Sequence, residues 1–194
     1  MHTLIQARIE EIQNVLKSPA SFPEHQLENF VSELLQTISE GKKIAFIGNG
    51  GSAAEALHIA AEFTGKCVFD HKPIPALCLN ESISAITAIG NDFGFSEIFS
   101  RQVDALMDSG DILVALSTSG KSPNVIRALE VAESKKIKAY LWTGKSDIKL
   151  PGVQTWNVPS DSTPRIQEVH LMWGHIIAEA FEIEFNKQEI GSNA

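Results

Sequence analysis

Cysteine, tyrosine and long apolar runs are all scarce in this chain. Its two cysteines, Cys67 and Cys78, form neither a disulfide framework nor a CxxC pair. Each reads as a small buried hydrophobe, and the pair points to a reducing compartment, the cytoplasm. No apolar segment reaches the length of a membrane span, and residues 1–20 lack the apolar core of a signal peptide, so neither membrane nor secretory leader is expected. Basic residues are outnumbered: 16 Lys and Arg against 24 Asp and Glu leave a net charge of -8. That balance excludes a broad nucleic-acid or anionic-membrane surface but is compatible with a small phosphate pocket. No linker-like stretch divides the 194 residues, which suffice for one well-buried domain with a helical extension.

What the chain does have is a glycine turn between two apolar segments. Residues 44–48 read as a buried parallel strand, and the Ala-rich stretch from Ala53 to Glu62 reads as a helix. Gly48, Gly50 and Gly51 allow close backbone approach, and the N–H groups opening the helix attract an anion. His58 and Glu62 share one face of that helix, roughly two turns beyond the loop. Gly48-x-Gly50-x-x-Ala53 also matches the dinucleotide fingerprint, with Asp70 near the distance for a ribose contact. That reading leaves a second anion loop unexplained. In it, Ser117, Thr118, Ser119 and Ser122 surround Gly120 at a strand end and a helix start, a setting for a terminal phosphate. A Ser-rich turn that only caps its helix would look the same. A nucleotide P-loop fits poorly, because its first glycine would fall at Ala115, inside the strand.

Two amphipathic helices, near 2–18 and 24–40, come first; they either cover the sheet or pair with another copy of the chain. Short strands are expected at 66–69 and 76–79, a helix at 82–89, a loop at 90–95 and a helix at 97–107. Strands at 111–116, 137–143 and 152–158 follow, with helices at 123–135 and 162–186. This alternation predicts an α/β fold: a three-layer α/β/α sandwich with a central parallel sheet. Residues 1–40 form the N-terminal helical extension in this reading, and 41–194 the domain proper.

The last helix carries Arg165, Gln167, Glu168, His170 and His175 among apolar neighbours. His58, Glu62, His175 and an amide oxygen make a donor set suited to zinc or a related divalent ion. Gln167 and His175 lie about 12 Å apart along a straight helix, so joining both to one ion demands long reaches, a bend or ligands drawn from a neighbouring subunit.

Assembled, these pieces resemble the sugar isomerase (SIS) domain family and, within it, the phosphoheptose isomerases. The matching segments are Gly48-Asn49-Gly50-Gly51-Ser52, His58-x-x-x-Glu62-Phe63-Thr64-Gly65, Gly90-Asn91-Asp92-Phe93-Gly94-Phe95, Ser117-Thr118-Ser119-Gly120-x-Ser122, and Arg165-Ile166-Gln167-Glu168-x-His170 with His175. The resemblance implies a homotetramer with sites at subunit contacts. It implies conversion of D-sedoheptulose 7-phosphate to D-glycero-D-manno-heptose 7-phosphate, which feeds lipopolysaccharide or capsule synthesis. On this basis Ser117, Thr118, Ser119 and Ser122 hold the phosphate, while Asn49, Gly50, Gly51, Ser52, Asn91 and Asp92 line the sugar. His58, Glu62, Gln167 and His175 become zinc ligands, with Glu62 and Gln167 also touching substrate and Glu62 and His175 acting as base and acid. Lys66 and Pro164 depart from the residues some members carry. The alternative is a non-catalytic SIS-domain scaffold that binds the replication initiator DnaA; as a relative, it lacks the equivalents of Glu62 and His175.

Overall fold

Five parallel strands carry the computed structural model, which describes residues 1–192; the last two residues of the expected 41–194 domain lie outside the described residues. They are β1 (Ile44–Gly48), β2 (Ala76–Cys78), β3 (Ile112–Leu116), β4 (Lys138–Thr143) and β5 (Val153–Asn157), ordered β2-β1-β3-β4-β5. β1 and β3 are buried along their whole length. Their near-continuous apolar runs follow from helices covering both faces. Pairing runs in register from Ile44 beside Ile112 to Gly48 beside Leu116. From β1 the chain crosses to β2 on one side, then returns to β3 on the other. Open α/β sheets bind ligands at such a switch point, outside the strands' carboxyl ends.

Alternate residues of each strand feed two cores, the three-layer arrangement expected. On one face Phe46, Val114, Tyr140 and Trp142 pack with residues from α2 (Glu24–Ser39), α3 (Gly51–Thr64) and α7 (Thr163–Ser192). On the other, Ile47, Leu113 and Leu141 meet α5 (Ser100–Leu106) and α6 (Pro123–Ser134). α2 belongs to the first core: Phe30 and Leu34 are 1% and 0% exposed, and burying such a side chain contributes about 1.5–3 kcal/mol. α1 (His2–Lys17) differs, leaving Leu4, Ile5 and Ile9 exposed.

Two local expectations are corrected. Residues 66–69 form no strand, because their N–H groups turn toward a carboxylate of α7 instead of a neighbouring strand. Residues 90–93 are not loop but the last turn of α4 (Ile83–Phe93). A helix tolerates Gly90, and the chain turns only at Gly94, whose φ of 93° suits glycine.

α3 and α7 lie side by side, and that seam positions the chemistry. Trp173 fixes α7 to the sheet, with its ring edge-on to Trp142 and Trp156 and its Nε1 donating to the Ser21 carbonyl at 2.8 Å. Gly174 lets the helices approach: a Cβ there would meet Ile59 Cγ1 at 2.5 Å.

Candidate active site

The two turns read from the sequence emerge side by side, one after β1 and one after β3. In the first, Gly50 caps α3 with φ 57°, and a Cβ on Gly48 would meet the Ser52 carbonyl oxygen at 2.4 Å. Only glycine permits that fold-back. Asn80 clamps the same backbone, accepting the Gly48 N–H at 3.2 Å and donating to its carbonyl at 2.9 Å. In the second turn the Ser117 and Ser122 hydroxyls lie 3.2 Å apart, and Ser119 Oγ accepts the Lys121 N–H at 3.1 Å.

A reciprocal amide pair bolts these turns together. Asn49 Nδ2 donates to Asn124 Oδ1 at 2.8 Å, and Asn124 Nδ2 donates back to Asn49 Oδ1 at 2.9 Å. Asn49, expected against the sugar, thus has its side-chain amide engaged by a buried partner. Sequence reasoning passed over Asn124; the signal available was an amide just inside a helix start, facing another in the first turn. Thr118 and Ser119 line a cleft of about 690 Å³ together with Lys121, Lys145, Thr163 and Ile166. Lys145 was also missed, since a lone loop lysine carries no pattern.

Further along the seam, side chains from two helices converge. His58 Nε2 and His175 Nε2 are 2.8 Å apart. Glu62 Oε1 lies 3.0 Å from the first and 4.0 Å from the second. Four donors at about 2.0–2.1 Å around a tetrahedral ion stand about 3.3 Å from one another, and these three spacings bracket that edge. The three residues fit a divalent metal, with one donor atom each inside a 4.8 Å grouping. Side-chain exposures of 49%, 17% and 44% for His58, Glu62 and His175 leave the cluster open to a ligand. All three come from one protomer.

The remaining expected residues are placed elsewhere. Gln167 packs its amide onto Gly51, where a Cβ would meet its Nε2 at 2.2 Å. Gly51 and His58 are about 10 Å apart along α3, so within the protomer Gln167 stands by the glycine turn and apart from the three donors. Ser52 is buried in the first turn of α3. Asn91 and Asp92 are exposed on α4, with Asn91 Nδ2 donating to Asp92 Oδ1 at 2.7 Å. α4 buries no residue of its own. Arg165 pairs with Glu168 and reaches α1, donating to the Arg8 carbonyl at 3.1 Å. His170 is sealed against Trp142 and Trp173, where burial pushes its pKa down to about 4.

One carboxyl near the site was unforeseen. Glu55 is 9% exposed, and among the described residues neither of its oxygens has a partner in full hydrogen-bond geometry. Burial raises its pKa to about 7, which Ser52 one turn back offsets only in part. Cys67 lies against the seam, its Sγ 3.9 Å from the His175 carbonyl. Burial and then the charge of Glu62 hold that thiol up at about 11, so it is protonated and inert. Both cysteines are free.

Known proteins share this layout. Residues 9–143 match the SIS domain. The chain is 46% identical to a phosphoheptose isomerase of Thermodesulfovibrio yellowstonii over 155 residues, covering 78% of this chain and 77% of that protein. It is 43% identical to a phosphoheptose isomerase of Aliarcobacter butzleri over 162 residues, 82% of this chain and 86% of that protein. The structure of phosphoheptose isomerase from Neisseria gonorrhoeae superposes with a TM-score of 0.85 at 34% identity, covering 93% of this chain and 98% of that one. With its paired glycine and hydroxyl turns and its cluster of two imidazoles and a carboxylate, the chain belongs to the SIS domain family and, within it, to the phosphoheptose isomerases.

Proposed function

We propose that the protein interconverts D-sedoheptulose 7-phosphate and D-glycero-D-manno-heptose 7-phosphate by proton transfer at Glu62 and His175. The observation that carries this reading is the meeting of those two side chains, 4.0 Å apart, along the helix that opens at the anion turns. The hydroxyl turn and its flanking lysines receive the phosphate. The reacting carbons then lie along the α3–α7 seam, about 10 Å further on, a reach that suits a long open-chain sugar. Glu62 takes a proton from C1 while His175 protonates the C2 oxygen, giving an enediol. Glu62 then returns the proton to C2 as His175 recovers its own from the C1 hydroxyl, which leaves the aldehyde at C1. His58, its Nε2 3.0 Å from Glu62 Oε1, holds that carboxylate in place.

His58, Glu62 and His175 would hold zinc, and a bound ion would polarise the sugar oxygens and stabilise negative charge on them. We place Gln167 with the substrate contacts; as a fourth ligand it would have to release Gly51. The apolar stripe of α1, the exposed face of α4 and an apolar groove of about 730 Å³ between α2 and α7 support assembly into a homotetramer. In that assembly Asn91 and Asp92 reach a neighbouring subunit's sugar, and residues 1–40 serve the contacts. Two free thiols accord with a cytoplasmic setting, and no helix among the described residues is long and apolar enough to cross a membrane. The product would supply heptose for lipopolysaccharide or capsule. A scaffold bound to DnaA would have no use for the converging Glu62 and His175.

The test is turnover of sedoheptulose 7-phosphate by wild type, Glu62→Gln and His175→Gln. Each variant should fold, keep its KM within a few-fold, and lose about 10²–10⁴-fold in kcat. Undiminished turnover in both removes the acid and base assignment, and an inactive wild type removes the reaction itself.

A further inference from the structure

Glu182, two turns beyond His175 on α7, is a buried group that this chemistry leaves unused. It is 1% exposed. Its Oε1 accepts the Cys67 N–H at 2.5 Å, and its Oε2 accepts those of Val68 and Phe69 at 2.9 and 2.8 Å. The fully buried His71 ring brings Nε2 to 3.3 Å from Oε1 and meets Phe185 edge-on. One turn further, Asn186 Nδ2 donates to the Asp70 carbonyl at 3.0 Å. Successive N–H groups converging on one anion make a nest, and hydrogen bonds to a charged acceptor are about twice as strong as neutral ones.

Placement gives this nest a second consequence. Helical periodicity puts His175, Glu182 and Asn186 on one stripe of α7. The segment leaving α3 is laid along that stripe. Its near end holds both working helices: the Gly65 N–H closes the last turn of α3 on the Ala61 carbonyl at 2.8 Å, and Cys67 touches the His175 carbonyl. Glu62 sits in that last turn. One carboxylate therefore ties the helix bearing Glu62 to the helix bearing His175, directly behind the point where they meet.

We infer that Glu182 is a positioning residue for the isomerisation: through residues 67–71 it sets the separation of Glu62 and His175. This rests on the roles proposed for that pair. An anchor of purely structural value would lower the melting temperature and leave the chemistry of the folded protein unchanged. Glu182→Gln keeps the shape but turns an amino group toward N–H donors, and His71→Gln is a milder change that retains the carboxylate. Three readouts apply to both: amide exchange at residues 67–69, Zn²⁺ affinity by competition with a chromophoric chelator, and steady-state kinetics. Exchange should accelerate, Zn²⁺ should bind about 10–100-fold more weakly, and kcat should fall by about the same factor with KM nearly constant. His71→Gln should move all three in the same direction by less, and it carries the test alone if Glu182→Gln does not fold. Folded variants with faster exchange but wild-type zinc affinity and kcat would overturn the inference. If the wild type fails to turn over sedoheptulose 7-phosphate while the variants still lose zinc affinity, the reaction is wrong and the positioning role stands.

Discussion

Glu62 and Glu182 lie on the same seam between α3 and α7, yet their surroundings oppose each other. Glu62 keeps 17% of its side chain exposed and faces two imidazoles, with no backbone N–H among the described residues to satisfy it. Glu182 is sealed, with three backbone N–H groups and a buried ring converging on it. A carboxylate tied to three backbone N–H groups is fixed in place. The looser one stays open to a ligand. In the proposed mechanism two glutamates at separate points of one helix pair divide the labour, one reactive and one fixing the frame.

Stability should separate them most sharply. Glu182→Ala removes the acceptor of three backbone N–H groups and the carboxylate beside the buried His71 ring, and breaking a buried charged network costs about 3–5 kcal/mol. Glu62→Ala removes no backbone partner and should stay within about 0.5 kcal/mol of wild type or gain stability. Urea unfolding of the two variants decides this, and equal losses would dissolve the contrast.

Glu55 offers an intermediate case, buried like Glu182 but without a full hydrogen-bond partner among the described residues. Helical periodicity places it between Gly51 and Ile59, on the face of α3 that meets α7. Its folded pKa of about 7 lies above the ordinary value of 4.5. The folded protein therefore keeps a proton that the unfolded chain releases between those values. Its contribution is fully present below about pH 4.5 and is lost as pH rises through about 7. At about 1.4 kcal/mol per unit, wild type should lose up to about 3 kcal/mol from this group by pH 8, about 2 kcal/mol of it above about pH 5.5, whereas Glu55→Gln should show no such decline. Denaturant titrations at about pH 5.5 and 8 measure the difference. His170 acts oppositely: its pKa of about 4 lies below the usual 6.5, so its share of stability is present above pH 6.5 and drains away as pH falls through about 4.

The sequence carried the local features of this site well and its long-range ties poorly. Apolar runs at 44–48 and 112–116 and the turns that follow them announce a parallel sheet with anion loops, because strand burial and turn chemistry are written in adjacent residues. The i, i+4 spacing of His58 and Glu62 was equally plain. Their meeting with His175 was legible only through family motifs, since it depends on how α7 docks. The Asn49–Asn124 bolt, the Glu182 nest and the burial of Glu55 all join residues distant in the chain, and none leaves a periodic signature. The misread strand at 66–69 has the same origin: a segment rich in β-forming residues was drawn away by a carboxylate more than a hundred residues downstream.

The finest test of the contrast is Gly174, where helix spacing rests on a missing side chain. A methyl group there would press on Ile59 Cγ1, Cδ1 and Cγ2 at 2.5, 2.6 and 3.3 Å. Ile59 is 1% exposed and β-branched, so it has little room to yield. Gly174→Ala should cost about 1–3 kcal/mol through overpacking, lessened by the helix preference of alanine over glycine. The strain falls beside His175 and two turns short of Glu182. The three-donor cluster should widen, lowering zinc affinity and kcat together, while amide protection at residues 67–69 persists. If protection vanishes with the affinity, the seam moves as one body and the two glutamates are not separable parts of it. If neither changes, α7 accommodates the methyl and the spacing of the reactive pair is set elsewhere.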